Sequence, residues 1–215
     1  MRKLFHEKTP SWLKLVFPGF TWDLTSTSKS VFLTFDDGPV YGVTDKALDL
    51  LKKYNAKATF FCIGSNVKKN PELFNRIIEE GHDVGNHTFN HLKGWTTGND
   101  KYIHDVEKAD KYIQSKLFRP PFGKISPLQA QKLKKNYQII LWDIMSFDYD
   151  QDITPEQCAS NVIRNIEPGS IVTFHDSIQA STNMLYALEE TLKFCNNKFD
   201  LTYSLNQAVS KSLTK

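Results

Sequence analysis

The stretch Val31–Ile63, VFLTFDDGPVYGVTDKALDLLKKYNAKATFFCI, decides the fold class. It opens on one apolar run, Val31–Phe35, and closes on another, Ala58–Ile63. Between them Ala47, Leu48 and Leu51 recur at helical spacing, and Thr44 stands where a helix cap is expected. Strand, helix, strand in this order implies a parallel sheet with its helices outside.

The same alternation continues along the chain. Asp83–Asn86, Leu117–Pro120, Gln138–Trp142, Ser170–Phe174 and Leu201–Leu205 read as further strands, making seven. Helices are expected from Asn70-Pro71-Glu72 to near Gly81, over roughly Asp100–Lys116, from Ser126-Pro127, from Thr154-Pro155, and over Asn183–Asn196. Pro at the first helical position after a hydroxyl cap marks two of these starts. A closed eight-unit barrel takes about 250 residues, and this chain of 215 has room for about seven such units. An open doubly wound sheet fits the same alternation. Either fold puts its chemistry at the C-terminal ends of the strands.

The composition excludes several classes. With 40% hydrophobic and 24% charged residues, the chain is neither disordered nor collagen-like. A net charge of +3 is too weak to imply a nucleic-acid partner. Cys62, Cys158 and Cys195 are odd in number and far apart, which argues against a disulfide framework or a thiolate zinc cluster. No apolar run approaches the ~20 residues of a membrane span. Lys14 and Pro18 interrupt the apolar residues near the start, and no small-residue cleavage site follows. Residues 1–30 are therefore expected to form a leader packed on the domain through Trp12, Leu13, Phe17 and Trp22, with residues 31–215 as the domain itself. A cytoplasmic monomer is the corresponding expectation.

Polar residues gather where the strands end. After Val31–Phe35 comes Asp36-Asp37-Gly38-Pro39, which reads either as a turn with capping carboxylates or as a divided pair, one binding a cation and one acting as a base. After the third strand come His87 and His91, four residues apart, a spacing that brings two rings to one face of a helical turn and suits a shared zinc. Arg119-Pro120-Pro121-Phe122-Gly123 follows the fourth strand, as a rigid surface loop or as an Arg orienting a carboxylate. His175-Asp176 follows the sixth, where an imidazole suits proton transfer near neutral pH or a structural role. His6, His82 and His104 lack such context and read as surface residues.

Taken in order, these segments resemble the motifs of the NodB-type polysaccharide deacetylases, the carbohydrate esterases that remove acetyl groups from N-acetylated sugars. Thr34–Pro39 (TFDDGP), His87–His91 (HTFNH), Arg119–Gly123 (RPPFG), Trp142–Tyr149 (WDIMSFDY) and Ile171–Asp176 (IVTFHD) stand where that family has its five motifs. The resemblance implies a distorted (β/α) barrel and one divalent metal, zinc or a substitute such as cobalt, held by Asp37, His87 and His91. It implies Asp36 as catalytic base, Arg119 as its partner and His175 as catalytic acid. It implies that Phe122, Pro121, Gly123, Trp142, Asp148 and Tyr149 form the oxyanion and sugar-binding surface. The fourth motif departs from the family's D-x-x-D-W, with Met145 at the first Asp and Tyr149 at the Trp. The substrate implied is an N-acetylated glycan of chitin, peptidoglycan or N-acetylglucosamine type. Other outcomes are a relative that cleaves another C–N bond in a small glycoconjugate, or an inactive sugar-binding relative.

Overall fold

Phe32–Asp36 forms β1, an interior strand of a seven-stranded parallel sheet in this computed structural model, which describes residues 7–24, 29–196, 198–201 and 205–206. The other strands are β2 (Ala58–Cys62), β3 (Asp83–Asn86), β4 (Leu117–Phe118), β5 (Gln138–Ile139), β6 (Ile144–Met145) and β7 (Ile171–His175). Their order is β5-β4-β3-β2-β1-β7-β6. The sheet curls into the distorted barrel expected from the motifs. Helices α1 (Ser11–Val16), α2 (Thr44–Lys53), α3 (Gly64–Lys69), α4 (Pro71–Glu79), α5 (Asn99–Asp110), α6 (Pro127–Leu133), α7 (Pro155–Ile163) and α8 (Ser181–Cys195) complete the chain order.

Strand alternation assigns each β1 side chain to a layer. Leu33 and Phe35 join the large core between sheet and helices, with Leu48, Phe60, Ile77, Phe174 and Leu188. Phe35 stacks between Phe60 and Phe174 at 4.8 and 5.7 Å. Phe32 faces inward with Phe61, Leu117, Ile140 and Ile171. Each such aromatic contributes roughly 1.5–3 kcal/mol by leaving water. Thr34 and Asp36 share the inward face with Phe32 by the same period. The apolar filling thus gives way to polar groups at the C-terminal end of β1.

Most helix punctuation reads through to structure. Ser126 and Thr154 each accept from the amide three residues on, and Gln129 and Gln157 reach back, forming two complete capping boxes. Thr44 is different. Its hydroxyl accepts from the Val40 amide and donates to Asp176 Oδ2 at 2.5 Å, so it ties α2 to the site instead of capping it. The expected strand at Gln138–Trp142 is only two residues long, and Ile144–Met145 within the fourth motif forms β6. Residues 202–204 of the expected strand Leu201–Leu205 lie outside the described residues. Helix α3 was not anticipated, and His82 is buried, its Nδ1 accepting from the Ala58 amide. Burial pushes the His82 pKa down to about 4, so it packs as a neutral ring.

The N-terminal segment closes the curl. Lys8 bridges Ile144 beside β6, and Thr21 bridges Ile140 just past β5. Lys14 pairs with Asp143 at 2.6 Å and with Asp23 at 2.5 Å. Residues 7–24 thus run across the seam between the sheet's two edges. The expected anchoring by apolar side chains is only partly seen: Trp22 is buried, whereas Trp12 is 65% and Phe17 42% exposed. Backbone bridges and the buried Asp143 do the holding. The three cysteines are buried and unpaired, and no helix among the described residues is long and apolar enough to cross a membrane.

Candidate active site

Register aligns the working residues. Asp36 pairs with His175 on β7, Cys62 at the end of β2 pairs with Asn86, and Asn86 pairs with Phe118, which precedes Arg119. A cavity of about 530 Å³ opens over this row, lined by Asp36, Asp37, His87, His91, Phe122, Trp142, Met145, Tyr149 and His175 among others.

Asp36 and Asp37 separate as a divided pair. Asp36 is buried, and its Oδ1 accepts from Arg119 Nη1 at 2.7 Å. Arg119 is itself fully buried and is held at every side: Nη1 also donates to Thr34 Oγ1, Nη2 to the Leu141 carbonyl, and its plane lies 4.1 Å from the Phe61 ring. Asp37 turns the other way because its backbone takes φ +86°. Its Oδ1 is buried without a hydrogen-bond donor, 3.2 Å from His91 Nε2 and 3.7 Å from His87 Nε2. The three ligand-capable atoms lie within 4.8 Å of one another.

The two histidines reach each other without a helical turn, contrary to the spacing argument. Residues 87–93 are irregular, with Thr88 at φ +64° and His91 at φ +56°. Side chains replace the helical hydrogen bonds: Asn86 Oδ1 accepts from the Thr88 amide, and Asp105 Oδ2 from the amides of Phe89 and Asn90. His87 Nδ1 donates to the Arg119 carbonyl at 2.7 Å, which leaves the Nε2 lone pair facing Asp37. Burial pushes the His87 pKa down to about 4, so the ring is neutral, as a metal ligand must be. For Asp37, burial alone would raise the pKa, but the facing imidazoles hold it below the usual carboxylate range. A buried carboxylate oxygen with no donor, faced by the open lone pair of His87 Nε2 and by His91 Nε2, fits a divalent cation.

His175 stands on the opposite wall. Its Nδ1 donates to Asp148 Oδ1 at 2.7 Å, and its backbone amide to Asp148 Oδ2 at 2.7 Å. Burial works against protonation, but Asp148, with smaller help from Asp37 and Asp36, carries the pKa up to about 9. Asp148 is fully buried and does not line the cavity, so it positions His175 and is not a sugar contact. Tyr149 stands at 4.9 Å, edge-on to the His175 ring. Met145 is a cavity wall, and Asp143 belongs to the seam with Lys14 and Ser170. Asp176 is buried and turned from His175, accepting from the Gly38 amide and the Thr44 hydroxyl; burial pushes its pKa up to about 7. A Cβ on Gly38 would fall 1.9 Å from Asp176 Oδ2, so this turn needs glycine.

The loop after β4 is bent by Phe122 at φ +60°. The amides of Gly123 and Lys124 fold back on the carbonyls of Pro120 and Pro121, and the Phe122 amide is left without a backbone partner in this loop. The Phe122 ring packs 4.7 Å from His91. Trp142 lines the cavity, while Pro121 is buried beneath the loop and Gly123 packs against Trp142, both outside the lining. Lys124, Phe147, Ser177 and Gln179 also line it and were not foreseen. As neutral or solitary residues, they carried no chemical signal in the sequence.

The polysaccharide deacetylase family model matches residues 23–138, more than half the chain, and the chain belongs to that family. Its activity class is hydrolysis of carbon–nitrogen bonds other than peptide bonds. Among curated relatives, it is 35% identical over 179 residues to a peptidoglycan-N-acetylglucosamine deacetylase of Bacillus cereus, covering 80% of this chain and 84% of that one. It is 32% identical over 157 residues to the Bacillus subtilis peptidoglycan-N-acetylmuramic acid deacetylase PdaA, covering 68% of this chain and 60% of the relative. A crystal structure of a peptidoglycan N-acetylglucosamine deacetylase superposes with a TM-score of 0.82 at 30% identity, covering 93% of this chain and 96% of that one.

Proposed function

We propose that the chain is a metal-dependent deacetylase that removes N-acetyl groups from peptidoglycan glycan strands, releasing acetate and a free amino sugar. One observation carries the mechanism. Asp36 and His175 stand as neighbours in register on β1 and β7, a carboxylate and a protonated imidazole on either side of the Asp37–His87–His91 triad. The substrate class is supported by the relatives.

Asp37, His87 and His91 would hold the cation, zinc before other divalent ions on the chemistry of its donors. When bound it supplies Lewis acidity and lowers the pKa of coordinated water towards ~7. Asp36, fixed by Arg119, accepts the proton of the water that attacks the acetyl carbon. The Phe122 amide donates to the carbonyl oxygen as negative charge develops, a contribution of roughly 3–4 kcal/mol for one well-placed donor. The amine departs poorly as an anion, so His175 gives it a proton. Asp148 keeps that proton on the imidazole until it is needed.

The test is acetate release from peptidoglycan fragments and from N-acetylglucosamine oligomers, before and after chelation and after zinc or cobalt is restored. Activity should vanish with the metal and return with it. Acetate release that survives complete metal removal, or none from any glycan with metal restored, refutes the proposal.

A further inference from the structure

Two loops meet at one side of the cavity mouth. The Gly94 amide donates to the Lys124 carbonyl at 3.1 Å, and Trp95 Nε1 donates to the Ile125 carbonyl at 3.1 Å. Gln129 Nε2 spans the Gly94 and Thr97 carbonyls, at 3.0 Å to each. A Cβ on Gly94 would lie 2.4 Å from the Lys124 carbonyl oxygen, so the two loops touch backbone to backbone. Their joint surface carries Trp95, 65% exposed, and Phe122, 57% exposed. Lys124 Nζ lies 5.2 Å from the Trp95 ring and Lys93 Nζ 5.9 Å from the Phe122 ring.

What sets Lys93 and Lys124 apart is their place: Lys124 lines the cavity and Lys93 reaches the ring of Phe122, which lines it too, whereas Lys108, Lys134 and Lys198 lie over rings elsewhere. Lys14 pairs with Asp143, Lys53 with Glu189, Lys132 with Asp100 and Lys193 with Glu190. Among the described residues no carboxylate pairs with Lys93 or Lys124; each lies beside an aromatic ring. On the opposite wall the residues around His175 are uncharged: Met145, Phe147, Tyr149, Ser177 and Gln179. Lysine ammonium groups therefore stand on the His91 side of the mouth and not on the His175 side.

We infer that Lys93 and Lys124, with the rings of Phe122 and Trp95, form a subsite for a carboxylate carried by the sugar next to the one deacetylated. The inference rests on the deacetylase reading above and narrows its substrate. Exposed aromatic rings offer a face for stacking a sugar. A neutral chitin-type strand offers hydrogen-bond acceptors but no counter-charge to two ammonium groups. A strand that alternates N-acetylglucosamine with a carboxylate-bearing N-acetylmuramic acid offers one. The charge sits either on the lactyl group of that sugar or on a peptide extending it.

Three glycans of equal length separate charge from shape: an N-acetylglucosamine oligomer, an alternating oligomer with free lactyl carboxylates, and the same oligomer with those carboxyls converted to amides. A fourth, extended by an acidic peptide, identifies the source of the charge, and preference for either acidic form supports the subsite. With the metal-loaded wild type, kcat/KM for the acid should exceed that for its amide by about fivefold or more at low ionic strength, and the preference should fade near 0.5 M salt. The double variant Lys93→Gln/Lys124→Gln should bring acid and amide to within about twofold, and Lys93→Arg/Lys124→Arg should keep the preference. Equal kcat/KM for the amide and for both acidic glycans in wild type overturns the subsite while leaving the deacetylase reading intact. A preference that survives the double Gln variant overturns it as well. No acetate from any of the four glycans overturns the deacetylase reading and the subsite with it.

Discussion

Two carboxylate–cation pairs face each other across the cavity, and they are wired in opposite senses. On the β1–β4 side the cation is the support: Arg119, fully buried and fixed by Thr34, Leu141 and Phe61, holds Asp36 at the cavity floor. On the β6–β7 side the anion is the support: Asp148, fully buried, holds His175 at the wall. In each pair the deeper member fixes the position of the one that reaches the cavity. The proposed base and acid are thereby held one strand apart, the arrangement that the proposed amide hydrolysis needs.

Breaking the first pair should cost most. Asp36→Asn removes the proton acceptor, and kcat should fall by about 10²–10⁴. The metal should stay, because Asp37, His87 and His91 are untouched. Acetate-release kinetics beside metal stoichiometry tests this, and loss of the metal in Asp36→Asn would reverse the assignment of the two aspartates. The variant also leaves Arg119 buried without its counter-charge, so thermal unfolding should shift down; one unpaired buried charge costs about 3–5 kcal/mol.

Disabling the second pair sharpens the contrast through pH. His175 is raised from 6.5 to about 9. Its protonated form therefore contributes stability that is complete below pH 6.5 and is lost as pH rises through 9. Activity should share that alkaline limb. In Asp148→Asn only burial remains of the main influences, and the limb of kcat/KM should move to 6.5 or lower, with the pH dependence of unfolding flattened over the same window. An unchanged limb would mean that His175 is not the acid.

Asp176 tests the neighbouring carboxyl that belongs to neither pair. Its pKa is raised from 3.8 to about 7 by burial. The folded state holds this proton more tightly than the unfolded one, so the stabilisation present below 3.8 is lost as pH rises through 7. Asp176→Asn should remove that loss, narrowing the difference in unfolding midpoint between pH 5 and pH 8. A steeper pH dependence in the variant contradicts the assignment. The smallest expected effect lies far from both pairs. Thr154→Ala, which deletes the α7 capping box, should cost about 1 kcal/mol in denaturant unfolding and leave kcat/KM alone.

The first pair was legible in the sequence and the second only in part. Asp36 and Arg119 each follow an apolar strand, and strand alternation carries them inward. Asp148 follows β6, a strand of only two residues, and reaches His175 through the left-handed Phe147 at φ +60°. Nothing in a non-glycine residue announces a positive φ. Asp37, Thr88, His91, Phe122 and Phe147 all adopt it around the cavity, and Asn55 does so elsewhere. Backbone of this kind costs roughly 1–3 kcal/mol per residue and persists only where surrounding bonds over-determine it. That is why a spacing of four between His87 and His91 suggested a helix where Asp105 and Asn86 impose a loop. The sheet was easier, because apolar runs and helix caps are local signals, whereas a site assembled from loops is not.

The seam closed by residues 7–24 has a consequence for how the molecule is made. Thr21 finds its partners at Ile139–Leu141, Lys8 at Ile144 and Leu24 at Gly169, all far downstream. During synthesis from the N-terminus, the earliest of these segments must therefore wait unpaired until nearly the whole sheet has emerged. Such long-range closure is entropically expensive and slow. The barrel zips shut last at a segment translated before any of its strands. The interval before it closes is when the sheet's two edges lie open to a chaperone or to another nascent copy.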